Sequence, residues 1–196
     1  MEATMVSDEL KQELLERYYE INVDHDWWDC TYEDFKVDMD TKGIHVEDIN
    51  FSGFWSQGDG ASFTGAVFVG QFAKFMEVHD LCERYPAAKF FADQSELRLD
   101  MFRNTSHYCH ENTINVVLHD ITGNPYDDFT PRWEIYDTMQ TLLDSEYAAL
   151  ELDCEEIVKG YMQELYSRLQ KEYEYLTSEE VVWETIVSNE LHLEAA

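Results

Sequence analysis

Basic residues are scarce in this chain. Thirteen Lys and Arg stand against 42 Asp and Glu in 196 residues, a formal charge of -29. Such a field repels nucleic acid and anionic lipid, so direct binding to DNA, RNA or a membrane surface is not expected. A host protein with a basic surface, or a divalent metal, is the electrostatic counterpart; solvation alone is the plainer reading of the same charge. Cysteine is equally thin. Cys30, Cys82, Cys109 and Cys154 are scattered with no CxxC pair, which argues against a disulfide framework or structural zinc and for reduced thiols in a cytoplasm. The three prolines build no linker, and no repeat or low-complexity tract divides the chain, so one domain over 1–196 is expected. No stretch approaches the roughly 20 apolar residues of a membrane span, and "MEATMVSDEL" lacks the basic-then-apolar pattern of a leader; a soluble cytoplasmic protein is the expectation.

The usual catalytic signatures are missing as well. No nucleophile elbow GxSxG, no HExxH and no kinase signature occurs, and Ser52 and Ser56 lack the flanking pattern of an activated serine. Paired carboxylates for acid–base chemistry cannot be singled out among 42 acids. No catalytic residue and no cofactor is therefore assigned, and a non-enzymatic role is favoured.

What is present is apolar and aromatic content, 44% and 14%, enough for a packed core. Ser7 caps a first helix running to about Asn22, with Leu10, Leu14, Leu15 and Tyr18 on one stripe. A second helix carries Trp28, Tyr32, Phe35 and Met39 and stops at Gly43. Two strand-like runs follow, near Ile44–Trp55 and Ala61–Val69, and "QFAKFMEVHDLCERYP" is helical up to Pro86. "AAKFFADQSELRLDMFRN" is read as helix too. Val116, Val117, Leu118 and Ile121 form a strand ending at Gly123-Asn124-Pro125, with "SHYCH" as its hairpin partner. Thr130-Pro131 starts a helix with Trp133, Tyr136, Leu143, Tyr147 and Leu150 on one stripe. The stripe continues through Ile157, Val158, Tyr161, Leu165, Leu169 and Leu176, in a second helix or after a bend near Asp153. Thr177-Ser178-Glu179-Glu180 is a capping-box pattern for a last helix. The fold class is α+β: about four antiparallel strands in a small sheet, several helices covering it, and a mainly helical C-terminal third.

One run stands apart. "INFSGFWSQGDGASFTG" concentrates glycine: six of eight glycines lie between Gly43 and Gly70. Asp59-Gly60 reads as a two-residue hairpin turn, placing Trp55 opposite Thr64 and Phe54 opposite Gly65. Gly53, Gly58 and Gly65 are then unexplained; a bulge or an aromatic ring over an edge glycine would account for them, and so would close approach of a ligand. On the ligand reading, Trp55, Ser56, Gln57, Asp59 and Ser62 are the candidate binding residues. A phosphate loop is excluded, because no Lys or Arg occurs between Lys42 and Lys74.

Other clusters carry weaker chemistry. His107, Cys109 and His110, with His119 on the neighbouring run, are candidate metal ligands; on a strand, however, His107 and Cys109 share one face and His110 takes the other. Asp24, His25, Asp26 and Asp29 flank two tryptophans without calcium-loop spacing, and fit a helix-flanking loop. In the C-terminal helices, Asp137, Asp144, Glu151, Glu155, Glu156, Glu164 and Glu172, with Glu174, Glu179 and Glu180, form outward rows with few cations at i,i+4. Carboxylates along a rigid helix approximate the charge of a nucleic-acid backbone.

The Phe51-to-Gly65 run, preceded by "YYEINVDHDWWD" and followed by "YEYLTSEEVVWETI", resembles a family of small acidic proteins encoded by bacteriophages and prophages. The likeness spans most of the chain. It transfers no catalytic residue; it implies a protein made during infection that acts on host machinery or defence. The expected function is thus an acidic inhibitor that binds a host protein, in one version by DNA mimicry. The alternatives are a ligand-binding or catalytic pocket at the glycine-rich hairpin, and an aromatic docking surface around Phe54 and Trp55.

Overall fold

The computed structural model describes residues 7–121 and 133–194. In chain order the elements are α1 (Asp8–Arg17), α2 (Asp29–Thr41), β1 (His45–Phe51), β2 (Ala61–Val67), α3 (Phe72–Val78), α4 (Pro86–Asp93), β3 (Leu97–Arg103), a 3-10 turn (Glu111–Thr113), β4 (Ile114–Asp120), α5 (Trp133–Leu176), α6 (Glu179–Ser188) and α7 (Leu191–Glu194). The fold is α+β, with one antiparallel sheet in the order β1-β2-β3-β4. Residue contacts group the chain into two compact units, Glu33–Tyr166 and Met1–Tyr32 with Ser167–Ala196; α2 and α5 contribute residues to both.

The larger unit is built on the sheet. On β3, Leu97, Leu99 and Met101 are buried while the residues between them are more open, and on β4 Ile114, Val116 and Leu118 do the same. That is the period of two for a strand with one face on a core. Phe35 and Met39 of α2, Phe63 of β2, Phe72, Phe75 and Met76 of α3, and Phe91 of α4 fill the core with Leu143, Leu150, Cys154, Val158, Met162 and Leu165 of α5. The α5 stripe recurs at steps of three, four or seven residues, as one helical face requires. Burial, then the neighbouring Asp153 and Glu151, push the Cys154 thiol up to about 12, so it stays protonated and packs as an apolar group.

In the smaller unit, Leu14, Leu15, Val182 and Ile186 make the buried cluster, with Leu10, Tyr18, Ile21, Trp183 and Leu191 packed on it. Ser7 caps α1 through the Leu10 N–H at 3.2 Å. The first helix ends at Arg17, short of the expected Asn22, because Asn22 is used differently: its amide donates to the Leu176 carbonyl at 3.0 Å and accepts from Thr185 Oγ1 at 2.9 Å. Ser178, not Thr177, caps α6, with its hydroxyl facing the Val181 N–H. That places Val181 at the third helical position, and the reciprocal glutamate of a capping box is absent from it.

Four further expectations are corrected. Residues 97–103 form β3 and not the continuation of a helix; α4 stops at Asp93, and Ser95 takes a left-handed conformation with φ 60°. The partner of β4 is therefore β3, paired from Leu97↔Asp120 to Arg103↔Ile114, and "SHYCH" lies in the loop before the 3-10 turn. Asp59-Gly60 does not make a two-residue turn, because β1 and β2 part at Phe51↔Ala61 and leave residues 52–60 as a loop; Gly65 pairs with Val46. Gly65 permits a backbone approach that no side chain would: a Cβ there would lie 2.0 Å from the His45 carbonyl oxygen, beside a register shift between Val46 and Ile49. The stripe expected to pass into a second helix or through a bend near Asp153 runs instead along one 44-residue helix, Trp133–Leu176. Gly123-Asn124-Pro125 and Thr130-Pro131 lie outside the described residues.

Candidate functional site: the glycine-rich loop and the carboxylates of α5

The loop at 52–60 is closed by Asp59. Its Oδ2 accepts from the Trp55 N–H at 3.0 Å and the Ser56 N–H at 2.6 Å, and its own N–H donates to the Ser56 carbonyl at 3.1 Å. An aspartate turned onto its own loop in this way replaces a backbone turn. Phe54 points inward, with its ring 4.9 Å from that of Phe51 and 5.5 Å from that of Tyr166. The Tyr166 hydroxyl donates to the Phe54 carbonyl at 3.5 Å, and burial, then Asp59, raise its pKa. Trp55 is 77% exposed. Ser56 and Gln57 are also exposed. Ser62 is not with them: it is fully buried in β2.

The space that the glycines leave open is filled by the chain itself. A Cβ on Gly58 would sit 2.2 Å from Tyr108 Cδ1, and Gly58 has φ +91°. Likewise a Cβ on Gly60 would sit 2.7 Å from the Cα of His110. Arg103 holds that neighbouring loop: its guanidinium donates to Asn50 Oδ1 at 2.7 Å and to the Tyr108 carbonyl at 3.0 Å. The Tyr108 ring is flanked by His107 at 4.2 Å and His110 at 5.9 Å between centroids. Of the explanations for these glycines, close packing of an aromatic ring accounts for Gly58.

The candidate metal ligands do not converge. His110 Nδ1 accepts from the Asn112 N–H at 3.2 Å and caps the 3-10 turn. His119 lies on β4 opposite Arg98 and pairs with Asp100 at 3.2 Å. Among the described residues, no group of three or more His, Cys, Asp or Glu is placed to hold a metal ion.

The carboxylates of α5 divide by use. Glu151, expected on an outward row, turns in and accepts from the Leu118 N–H at 3.1 Å. Glu155 holds Lys159 at 2.6 Å. Glu146 accepts from the Ala87 and Ala88 N–H groups at 3.3 and 3.0 Å. It thereby caps α4, whose own N-cap Tyr85 supplies no side-chain bond. Asp153 accepts from the Tyr85 hydroxyl at 2.7 Å and pairs with Arg84. Glu172 is half-buried, whereas Asp137, Asp144, Glu156, Glu164 and Glu174 are exposed, as are Glu179 and Glu180 on α6.

A cluster that motif reasoning did not reach surrounds His79 at the end of α3. Its ring packs on Phe75 at 4.6 Å and Tyr161 at 5.6 Å, and its Nε2 lies 3.4 Å from the Tyr161 hydroxyl. The Lys42 ammonium sits 5.3 Å over the Tyr161 ring and pairs with Asp38. Burial, then Lys42, lower the His79 pKa; burial, then Glu164 and Asp38, raise Tyr161 to about 12. These residues come from three stretches of the chain, near 40, near 77 and at 161, so no single local pattern marks the cluster.

Among the described residues no helix is long and apolar enough to cross a membrane. Compared with known proteins, residues 27–179 match the family model described as "Domain of unknown function (DUF8835)". No curated protein and no solved structure matches the chain.

Proposed function

The chain belongs to the DUF8835 family, and from the geometry above we propose that it is an acidic, non-enzymatic protein that binds a basic surface of a partner protein. The observation that carries this is the excess of carboxylates over cations, 42 against 13, with many of those carboxylates exposed. Lys36, Lys42, Arg84, Lys89, Arg98 and Lys159 are already engaged with acids of the same chain. Asp137, Asp144, Glu156, Glu164 and Glu174 are exposed on α5. The resemblance to acidic phage and prophage proteins supports a host defence or nucleic-acid-acting protein in the host cytoplasm as that partner.

Charge density limits the DNA-mimicry version. Helix α5 carries eleven acidic and three basic residues. Over its 44 residues, about 66 Å at 1.5 Å per residue, that is about one net charge per 8 Å. Duplex DNA presents one per roughly 1.7 Å. Alone, α5 is about fivefold too dilute, so mimicry of a duplex requires acids from other elements. Binding to a basic patch requires no such match.

The test is capture of partners from bacterial lysate at low and at high salt. A basic partner retained at about 50 mM salt and released at about 500 mM is expected, because screening shortens the range of attraction from above to below 10 Å. The same capture with Asp137→Asn, Asp144→Asn, Glu156→Gln and Glu164→Gln combined should lose that partner. Retention independent of both salt and these four charges sinks the proposal.

A further inference from the structure

The outer edge of β4 is covered in one place and open in the next. Leu118 gives its N–H to Glu151, and its carbonyl accepts from the Tyr147 hydroxyl, so both peptide groups of Leu118 face away from β3. The bonds Asn104 N–H to Thr113 carbonyl and Ile121 N–H to Glu96 carbonyl, each 2.8 Å, place the odd-numbered residues of this strand towards β3. In an antiparallel ladder the direction alternates residue by residue. The N–H and C=O of Val116 therefore point off the edge, as those of Leu118 do.

Helix α5 is in step with this edge. One helical turn from Glu151 to Glu155 advances about 6 Å, and two strand residues from Leu118 to Val116 advance about 6.7 Å. Glu155 thus stands where it would serve Val116 as Glu151 serves Leu118, yet its carboxylate is held by Lys159. A groove of about 530 Å³ lies there, lined by Val116, Ala148, Leu152 and the two glutamates, together with Asn115 and Val117. Leu152 is 54% exposed beside it.

We propose that this groove accepts an extended segment of the basic partner as an added strand at Val116, with a lysine or arginine of that segment on Glu155. This rests on the acidic-binder reading above. Main-chain bonding to an open edge supplies affinity, and the flanking pockets supply selectivity. Small Ala148 leaves room, Leu152 offers apolar surface, and the acidic rim suits a cationic guest but repels an acidic one. Lys159 is the internal cation that such a guest displaces from Glu155.

The probe is the blocked peptide Lys-Val-Lys-Val-Lys, with Glu-Val-Glu-Val-Glu as its acidic twin, added to the full chain. The readout is amide exchange and chemical shift at Val116. The expected result is at least tenfold slower exchange of the Val116 amide with saturating basic peptide, no effect of the acidic twin, and at least tenfold weaker binding to Leu152→Arg, which stays folded by circular dichroism. Binding that leaves Val116 unchanged, or that Leu152→Arg does not weaken, overturns the proposal. So does protection of Val116 that grows with protein concentration in the absence of peptide, since a second copy is then the occupant. If a salt-sensitive partner from lysate binds Leu152→Arg as well as the unmodified chain, the groove fails and the acidic-binder reading stands. If Val116 is protected by the basic peptide but no basic partner is retained, the wider reading fails and the groove stands.

Discussion

Gly58→Ala is expected to be among the more damaging single changes in the exposed loops. Two costs combine. With φ at +91°, Gly58 sits where a Cβ is strained, which costs about 1–2 kcal/mol. The new methyl would also lie 2.2 Å from Tyr108 Cδ1 and 2.5 Å from Cε1; overpacking of that kind costs about 1–3 kcal/mol. The Tyr108 backbone is held by Arg103 and Ser106, and its ring is flanked by His107 at 4.2 Å and His110 at 5.9 Å, which limits where the ring can swing. The sum is about 2–5 kcal/mol, or about 4–20 °C in Tm for a chain of this size. Gly70→Ala is the control, since a Cβ there meets nothing within 4 Å, and it should stay within about 0.5 kcal/mol of the unmodified chain. The assay is urea denaturation with amide exchange across residues 52–60, which detects the cost if it appears as local opening. In the double variant Gly58→Ala/Tyr108→Ala the overlap is removed and the backbone strain remains, so a coupling of about 1–3 kcal/mol is expected. A Gly58→Ala variant indistinguishable from Gly70→Ala, with Tyr108→Ala strictly additive, would refute the packing account of the loop.

Three further predictions follow from the same geometry. Glu146→Ala should cost about 1–2 kcal/mol and speed amide exchange at Ala87 and Ala88, whose N–H groups it caps; unchanged exchange at both would count against a remote cap. Ser62 is buried and its hydroxyl has no partner among the described residues, so Ser62→Ala should stabilise by about 0.5–1.5 kcal/mol, and a loss of stability would show that the hydroxyl is in use. The lowered pKa of His79 makes the unfolded chain bind more protons than the folded one below the ordinary value of 6.5, so stability falls as pH drops through and below that value. Between neutrality and about pH 5.5 the unmodified chain should therefore lose more stability than His79→Gln, and an equal or larger loss in the variant would contradict the assignment.

Most of the fold was legible in residue patterns, and the failures have local causes. The helical faces of α1, α2, α5 and α6, and the strands β1, β2 and β4, follow from hydrophobic spacing. The β3 alternation of Leu97, Leu99 and Met101 was there to be read as well, but the Ala-Ala-Lys-Phe-Phe run before it favours helix. The break between them is made by Ser95 in a left-handed conformation, where no glycine or proline marks it. In the loop at 52–60 the residue types pointed to a turn, but its length is set by Asp59 folding back on Trp55 and Ser56 and by a tyrosine fifty residues away. Of the candidate binding residues, Trp55, Ser56 and Gln57 are presented to solvent, Asp59 is committed to the loop and Ser62 is inside. The acidic rows of α5 showed no division in sequence, because Glu151 and Glu156 differ only in what lies opposite them.

That division bears on how the chain can change over time. Carboxylates at 146, 151 and 153 each answer a particular donor on α4, on β4 or at Tyr85, so those positions are anchored. Other exposed acids add to the total field, and where no particular donor fixes an acid that contribution survives a move from one surface position to another. Related chains should therefore share the anchored acids position by position and the remainder only in sum. A comparison that scores acidity residue by residue would mistake the scaffold for the binding surface, and the binding surface for noise.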